Sequence, residues 1–236
     1  MPESFVAPPG QEESLDRMAG AENYNDWLLA RALPFVGRRV LDFGAGIGTF
    51  SAELAVRTDV VAVEPDPAFA SHLRSLFADN HRATVVESDA TWLADEAQRG
   101  AFDTVVCLNV LEHIRDDAAV VNRFRECLSP GGHALLLVPA HPALFGEIDR
   151  SVGHERRYTR RSLRELVSRA GLRPVDTRYV NPLGALGWLA SSRLLRRAQV
   201  PSGPLRAYDR LVPLLRRLDS LPLPFGLSVW AVARRD

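Results

Sequence analysis

The feature that most constrains the fold is an apolar run, residues 40–43, that leads directly into three alternating glycines, Gly44, Gly46 and Gly48. A helical pattern begins at this point of the chain. Glycine adopts the backbone angles of a tight turn and, having no side chain, lets a ligand approach the backbone. A dinucleotide-binding turn has its third glycine one position later, where this chain has Thr49. The sequence therefore predicts a strand, a ligand-binding turn and a helix that depart from the dinucleotide pattern.

Two further apolar strands follow, and each ends in an acid. Residues 60–64 end in Glu64, and residues 84–90 include Asp89 near their end. Glu64 lies about 20 residues beyond the glycine turn, the spacing at which an acid accepts hydrogen bonds from both ribose hydroxyls of an adenosine. These two strands extend the ligand site that the glycine turn begins.

Two more strands continue the alternation with helical patterns. Residues 102–108 run into the string N-V-L-E-H-I at 109–114, and the turn S-P-G-G at 129–132 precedes a strand at 133–138. Regular alternation of strands and helices predicts a parallel sheet with helices on both faces.

The set and order of these motifs resemble motifs I to VI of class I S-adenosylmethionine (SAM) methyltransferases, over roughly residues 35–140. The resemblance implies an α/β fold: a Rossmann-like, doubly wound, seven-stranded and mostly parallel sheet whose last strand is antiparallel. It also implies SAM as cofactor and S-adenosylhomocysteine as product. The residues implied to bind the cofactor are Tyr24, Asp42, Gly44, Ala45, Gly46, Glu64, Pro65, Asp89, Ala90, Asn109 and Val110.

The resemblance also implies a role for each part of this set. Asp42 balances the ammonium of the cofactor, Glu64 accepts from the ribose, and Asp89 accepts from the adenine amino group. Asn109 presents its carbonyl to the ammonium, although Asn109 and Asp89 could instead be strand-end caps. Tyr24 belongs to a leading helix that covers the cofactor in relatives, and core packing is an equal alternative for it.

Composition excludes several other classes of protein. The 236 residues carry a formal net charge of zero, so we expect no nucleic-acid partner. All 29 basic residues are arginine, which excludes Schiff-base lysine chemistry. The two cysteines, Cys107 and Cys127, have no disulfide or metal-ligand spacing, and we expect no bound metal. No signal peptide or membrane span is evident, so the expected location is cytoplasmic, with peripheral membrane contact left open.

The chain is expected to form a single methyltransferase domain over residues 1–236. Its expected segments are a flexible N-terminus (1–20), a lid helix (21–35), a SAM-binding half (36–140), a substrate-side half (141–181), a helical insert (182–225) and the last strand (226–236).

The insert is too long for an ordinary hairpin loop and carries two amphipathic patterns, 184–198 and 205–219. Residues 182–218 contain seven arginines and one aspartate. One interpretation is a lid over an apolar or lipid-linked acceptor, with transient membrane-surface contact through 182–219. The other is a solvated arginine face on an ordinary packing helix.

The loop after the fifth strand, residues 140–159, is where α/β sheets place substrates. Its segment 153–159 resembles the G-H-x-R-R-Y-T string of a bacterial branch of these methyltransferases. The candidate catalytic residues are His154, Tyr158, Arg157, His141 and His113.

His154 is the best candidate for a general base, with Arg157 and Tyr158 orienting an anionic or oxygenated acceptor. The alternative is that His154 and Arg157 fasten the loop to Asp149 or to a helix end. For His141 a structural role is favoured. His113 could face the transferred methyl group or cap the next helix.

The function that this sequence indicates is methyl transfer from SAM to a small-molecule or lipid-like acceptor, with the acceptor atom (O, N or C) undetermined. The alternative is a non-catalytic SAM-fold binding or scaffold protein. A nicotinamide oxidoreductase conflicts with the position of the third glycine. A methyltransferase acting on a flipped base would be expected to carry an (Asn/Asp)-Pro-Pro-(Tyr/Phe) string where this chain has N-V-L-E.

Overall fold

The computed structural model describes residues 11–182, 184–185, 202–216 and 224–236. Its strands are β1 (Arg39–Phe43), β2 (Asp59–Glu64), β3 (Ala83–Glu87), β4 (Phe102–Leu108), β5 (Leu128–Pro139), β6 (Arg173–Val180) and β7 (Ser228–Arg234). They form one seven-stranded sheet in the order β3-β2-β1-β4-β5-β7-β6. Strands β1 to β5 pair in parallel, and β7 runs antiparallel to both β5 and β6. The predicted fold class, including the antiparallel last strand, is confirmed.

Helices cover both faces of this sheet. Those in the described residues are α1 (Gln11–Ala19), α2 (Glu22–Ala32), α3 (Thr49–Ala55), α4 (Pro67–Leu76), α5 (Asp117–Cys127), α6 (Glu147–Ser151), α7 (Arg160–Arg169) and α8 (Ser202–Leu215). Short polar residues begin several of them. Asp66, for example, accepts hydrogen bonds from the amides of Ala68 (2.8 Å) and Phe69 (3.3 Å) at the start of α4.

The core lies in two layers, one on each face of the sheet. Along β5, Leu136 and Val138 belong to the layer under α5 and α7, whereas Leu135 and Leu137 belong to the layer under α2, α3 and α4. A strand covered on both faces is apolar at successive positions, which explains the unbroken run of apolar residues in β5.

The structure adds detail to one sequence expectation and corrects another. In the segment expected to be flexible, 1–20, the structure describes residues 11–20, which contain the helix α1. The Leu15 methyl carbons of this helix would lie 3.4 Å from a Cβ built at Gly46. The expected turn at 129–132 lies inside β5, where the pairing with β4 shifts register and Gly131 has a φ of +83°. Glycine at a bulge lets a strand continue through an irregularity, so the S-P-G-G string lies within the strand instead of preceding it.

The described part of the insert, α8, is fastened to the start of α2. The carboxylate of Asp209 accepts hydrogen bonds from the backbone amide of Tyr24 (3.0 Å) and from Asn23 Nδ2 (2.9 Å). No side chain next to α2 in sequence caps it, so an acid from α8 satisfies an amide of its first turn. The amphipathic pattern predicted at 184–198 lies almost wholly outside the described residues.

Among the described residues, three that lack the freedom of glycine adopt positive φ angles, each one or two positions after a strand. They are Asn109 (φ 56°) after β4, His141 (φ 59°) after β5 and Asn181 (φ 60°) after β6. All three stand at the carboxyl edge of the parallel strands, where open α/β sheets bind ligands. Strained backbone of this kind tends to occur at functional sites, because the surrounding structure must hold it in place.

Candidate active site

The glycine turn closes against the ends of β2 and β4. The amides of Gly44 and Ala45 donate to the carbonyl of Val63 at 2.8 and 3.1 Å. A Cβ at Gly44 would lie 2.4 Å from a methyl carbon of Val110, so only glycine allows this approach. Gly44, Gly46 and Gly48 all have positive φ angles, as a turn of this tightness requires.

Glu64 is oriented by the same turn. Its Oε2 accepts from the amide of Gly46 at 2.8 Å, and its Oε1 accepts from the amide of Asp66 at 3.0 Å. Burial raises the pKa of Glu64, and the two backbone hydrogen bonds oppose that rise. Each carboxylate oxygen has a second lone pair, so the group can still accept from a vicinal diol.

Two other predicted acids contact neighbouring helical segments. Asp42 is buried and accepts from the Ser51 hydroxyl of α3 at 2.5 Å, and burial raises its pKa to about 6. Asp89 is exposed and accepts from the amide (2.8 Å) and hydroxyl (2.6 Å) of Thr91, which lower its pKa. Asp89 therefore does cap a short 3₁₀ turn, the alternative role considered for it.

The contacts described for Tyr24 are with residues outside the glycine turn. Its hydroxyl hydrogen-bonds Asn181 and Ser228, and its ring packs 5.6 Å from Trp27 and 6.2 Å from Tyr208. Burial raises the pKa of the Tyr24 hydroxyl to about 12. These contacts favour the packing role for Tyr24, whereas Leu15 of α1 would lie 3.4 Å from a Cβ built at Gly46.

A second group of polar side chains comes from the turn after β4 and the loop after β5. Ligand atoms of Glu112, His113 and His154 all lie within 4.8 Å of one another. The rings of His113 and His154 are 4.7 Å apart edge to face, and His154 Nε2 lies 3.8 Å from Glu112 Oε1. We call these three residues, with Asp149, the acid–imidazole cluster.

Burial sets the electrostatics of this cluster. Glu112 is fully buried, and its pKa is raised to about 7 because desolvation penalises the charged form. Burial also lowers the pKa of His113 to about 4, assisted by the nearby His154. The side chain of His154 remains 12% exposed.

Asp149 holds the loop that carries His154. Its Oδ1 contacts His154 Nδ1 at 2.8 Å and accepts from Arg157 Nε at 2.7 Å, while its Oδ2 accepts from the amide of Gly146 at 2.8 Å. Burial opposes ionisation of Asp149, but the hydrogen bonds from His154 and Arg157 outweigh it and lower the pKa. Arg157 also donates to the carbonyl of Ala140 at 3.0 Å. The alternative in which His154 and Arg157 fasten the loop to Asp149 is therefore present in the structure.

The other two candidate catalytic residues make contacts of a structural kind. The Tyr158 hydroxyl donates to Asp117 Oδ2 at 2.7 Å and lies 3.2 Å from the carbonyl of Leu111, in the turn that carries Glu112 and His113. His141 stacks on Tyr179 at 4.6 Å and accepts from the amide of Gly226 at 3.5 Å.

Sequence reasoning missed the central member of the cluster, Glu112. In the N-V-L-E-H string, the residue that the sequence marks as a candidate is His113, not the acid before it. The signal that could have found Glu112 is its place directly after a buried strand, since an acid carried into the core beside imidazoles needs a partner. Asn181 and Asp209 were also missed, because both contact Tyr24, which lies on a distant segment.

The sheet order, the glycine turn and Glu64 at the end of β2 define the Rossmann-like fold of class I SAM-dependent methyltransferases. A family model described as "Methyltransferase domain" matches residues 18–177, and the chain belongs to this family.

The chain is similar to the ubiquinone biosynthesis O-methyltransferase of Xanthomonas euvesicatoria pv. vesicatoria, with 36% identity over 110 residues. The match covers 44% of this chain and 44% of that protein, so it spans less than half of the relative's length.

Among solved structures, the fold resembles phosphoethanolamine N-methyltransferase 2 of Haemonchus contortus in complex with SAM. The TM-score is 0.64 at 20% identity, covering 99% of this chain and 54% of that one. The [4+2]-cyclase SpnF matches with a TM-score of 0.61 at 17% identity, covering 90% and 79%. These likenesses establish the fold, and the cyclase shows that the fold alone does not determine the reaction.

Within the described ranges, no helix combines the length and the apolar character needed to cross a bilayer.

Proposed function

We propose that this protein transfers a methyl group from SAM to a small-molecule acceptor bound at the carboxyl edge of the sheet. The observation that carries the proposal is the contact between Gly44 and Val110. It brings the glycine turn within two residues of Glu112 in the acid–imidazole cluster. A cofactor on the turn and an acceptor on the cluster would therefore meet across the ends of β1 and β4.

The residues at the turn fit SAM. The backbone at Gly44, Ala45 and Gly46 leaves room for close approach, and Glu64 stands beside it with its carboxylate oriented by two amides. Glu64 takes the ribose hydroxyls, Asp42 balances the ammonium, and Asn109, Val110, Pro65, Asp89 and Ala90 complete the site.

We expect replacement of Glu64 with alanine to weaken SAM binding by about 1.5–3 kcal/mol, because charge-assisted hydrogen bonds are lost. This corresponds to a Kd roughly ten- to a hundredfold higher, measured by calorimetry with SAM and with S-adenosylhomocysteine. The matched control is Glu87→Ala, since Glu87 pairs in register with Glu64 at the end of β3 but is exposed and bonded to Arg74. Equal Kd values for Glu64→Ala and the unmodified protein would rule out the ribose assignment.

Activation of the acceptor centres on His154. Asp149 holds His154 Nδ1, which leaves Nε2 directed toward Glu112 and the partly open side of the cluster. Bound SAM supplies a methyl group on a positively charged sulfur. The chain's own residues then have to place the acceptor in line with that methyl group and relieve it of its proton.

We take oxygen as the first acceptor atom to test, because the similar Xanthomonas protein is named an O-methyltransferase. In this methyl transfer a carbon–oxygen bond forms as the carbon–sulfur bond of SAM breaks. The hydroxyl proton is transferred to His154 or to water. Turnover assays with phenolic and aliphatic hydroxyl compounds, read as a mass gain of one methyl group, test this choice. SAM binding without turnover on any acceptor class would favour the non-catalytic alternative.

The described part of the insert supports an acceptor that is apolar or linked to lipid. On α8, Leu211 and Leu214 are 49% and 60% exposed, and Arg210 and Arg216 beside them are also exposed. Phe225, just before β7, is 43% exposed. Apolar side chains flanked by arginine are typical of surfaces that touch anionic membranes.

We expect the protein to co-sediment with phosphatidylserine-containing vesicles at low ionic strength and to be released by salt, since such attraction is screened. The double variant Leu211→Ser with Leu214→Ser should lose the binding, whereas Val56→Ser, at a 67% exposed position after α3, should retain it. Absence of vesicle binding together with full activity on a water-soluble acceptor would reject the membrane contact and leave the insert as a lid.

A further inference from the structure

Glu112 carries a buried carboxylate on which His154 and Arg157 act electrostatically, without a hydrogen bond from either. The residue is fully buried, and neither of its side-chain oxygens has a hydrogen-bond partner among the residues that the structure describes. An isolated buried carboxylate is costly, and proteins usually resolve that cost with a paired cation or a metal ion. The nearest nitrogen of His154 is 3.8 Å away, too far for a hydrogen bond.

Each of the two imidazoles beside Glu112 is already held in place by a hydrogen-bonding contact of its ring. His154 Nδ1 contacts the buried carboxylate of Asp149 at 2.8 Å, and the His113 ring hydrogen-bonds the backbone of Gly153. Metal-binding histidines have this arrangement: one ring nitrogen contacts a carboxylate or a backbone carbonyl, and the other binds the ion.

We propose that Glu112, His113 and His154 bind one divalent transition-metal ion of the Zn²⁺ type. Two imidazole nitrogens and one carboxylate oxygen are the protein ligands of many catalytic zinc sites, which keep a further position open for water or substrate. The donor atoms lie within 4.8 Å of one another, and bonds of about 2.0–2.2 Å require them to close by roughly an ångström. Side-chain rotation supplies a movement of this size.

This site rests on the proposed function and gives it a chemical role. An acceptor oxygen at the open position would lose its proton more readily, because a bound cation lowers the pKa of a coordinated hydroxyl. The effect of His154 on turnover would then be that of a ligand, with Asp149 as the residue that positions it. The sequence predicts no metal site here, because the three ligands come from two separate segments and include no cysteine.

The test is calorimetric titration of the full chain, stripped with a chelator, with Zn²⁺ alone, accompanied by the visible absorption spectrum of the Co²⁺ form. We expect one equivalent to bind, and we expect His113→Ala and Glu112→Gln each to weaken binding by at least tenfold. His72→Ala is the matched control, since His72 is an exposed imidazole on α4. Circular dichroism and SAM binding establish that each variant is folded, and His113→Ala carries the test if Glu112→Gln does not fold.

Failure to bind one equivalent, or binding that is unchanged in both His113→Ala and Glu112→Gln, overturns the metal site. Methyl transfer that persists in excess chelator overturns the role of the ion in activation but leaves the proposed function standing. Zn²⁺ binding in a protein that does not bind SAM would have the opposite meaning, because the metal site would stand and the proposed function would fail.

Discussion

Replacing Arg157 with alanine should lower the free energy of unfolding by about 3–5 kcal/mol, the largest effect on stability that we expect from a single side chain here. Arg157 and Asp149 are both buried, and the guanidinium donates to the carboxylate at 2.7 Å. Removing the cation leaves the Asp149 charge in the interior with fewer partners, and it also frees the Ala140 carbonyl. Urea denaturation followed by circular dichroism measures the change.

The matched control is Arg161→Ala, because Arg161 also makes a carboxylate pair at 2.7 Å but is 89% exposed. Exposed pairs contribute about 0–1 kcal/mol, so the control should change stability little. The double variant Arg157→Ala with Asp149→Asn should recover part of the loss, since it no longer buries an unpaired charge. Similar effects of Arg157→Ala and Arg161→Ala would show that the buried pair does not hold the loop.

Replacing His154 with alanine should lower kcat by about 10²-fold or more, while the Kd for SAM stays close to its normal value. The reason is its position: His154 contacts Asp149 and faces Glu112 and His113, which lie outside the glycine turn. Steady-state turnover with an accepted substrate, together with calorimetric SAM binding, separates the two effects.

His72→Ala serves as the control for His154→Ala, because it removes an exposed imidazole far from the cluster in sequence. A His154→Ala protein with nearly normal turnover would assign His154 to loop structure alone. A protein that loses SAM binding as strongly as turnover would place His154 in the cofactor site instead.

Much of the cofactor half could be predicted because its signals are local. The glycine turn and the acid that ends β2 are each read within a few residues, and parallel pairing then sets them side by side at one edge of the sheet. The roles of Tyr24 and Asp89 could not be settled in this way. Tyr24 finds its partners on β7 and after β6, and Asp89 contacts the turn that follows it.

The acceptor half was harder because its residues are distant in sequence. Glu112 follows β4 and His154 lies in the loop after β5, and only the packing of that loop under the turn at Asn109 brings them within reach. The same packing gives Arg157 and Tyr158 internal partners. From the sequence, both are candidates to orient the acceptor, with loop fastening as the alternative for Arg157.

By itself the sequence determined the sheet with its crossover helices, the ligand-binding turn and the acids at strand ends. Hydrophobic periodicity and glycine placement act over a few residues, so they can be recognised in the sequence. Only the tertiary structure decided which titratable groups share a site and which of them hold loops in place. That decision depends on burial and on distances of a few ångströms between remote segments, as at Glu112, where desolvation leaves a carboxylate beside two imidazoles.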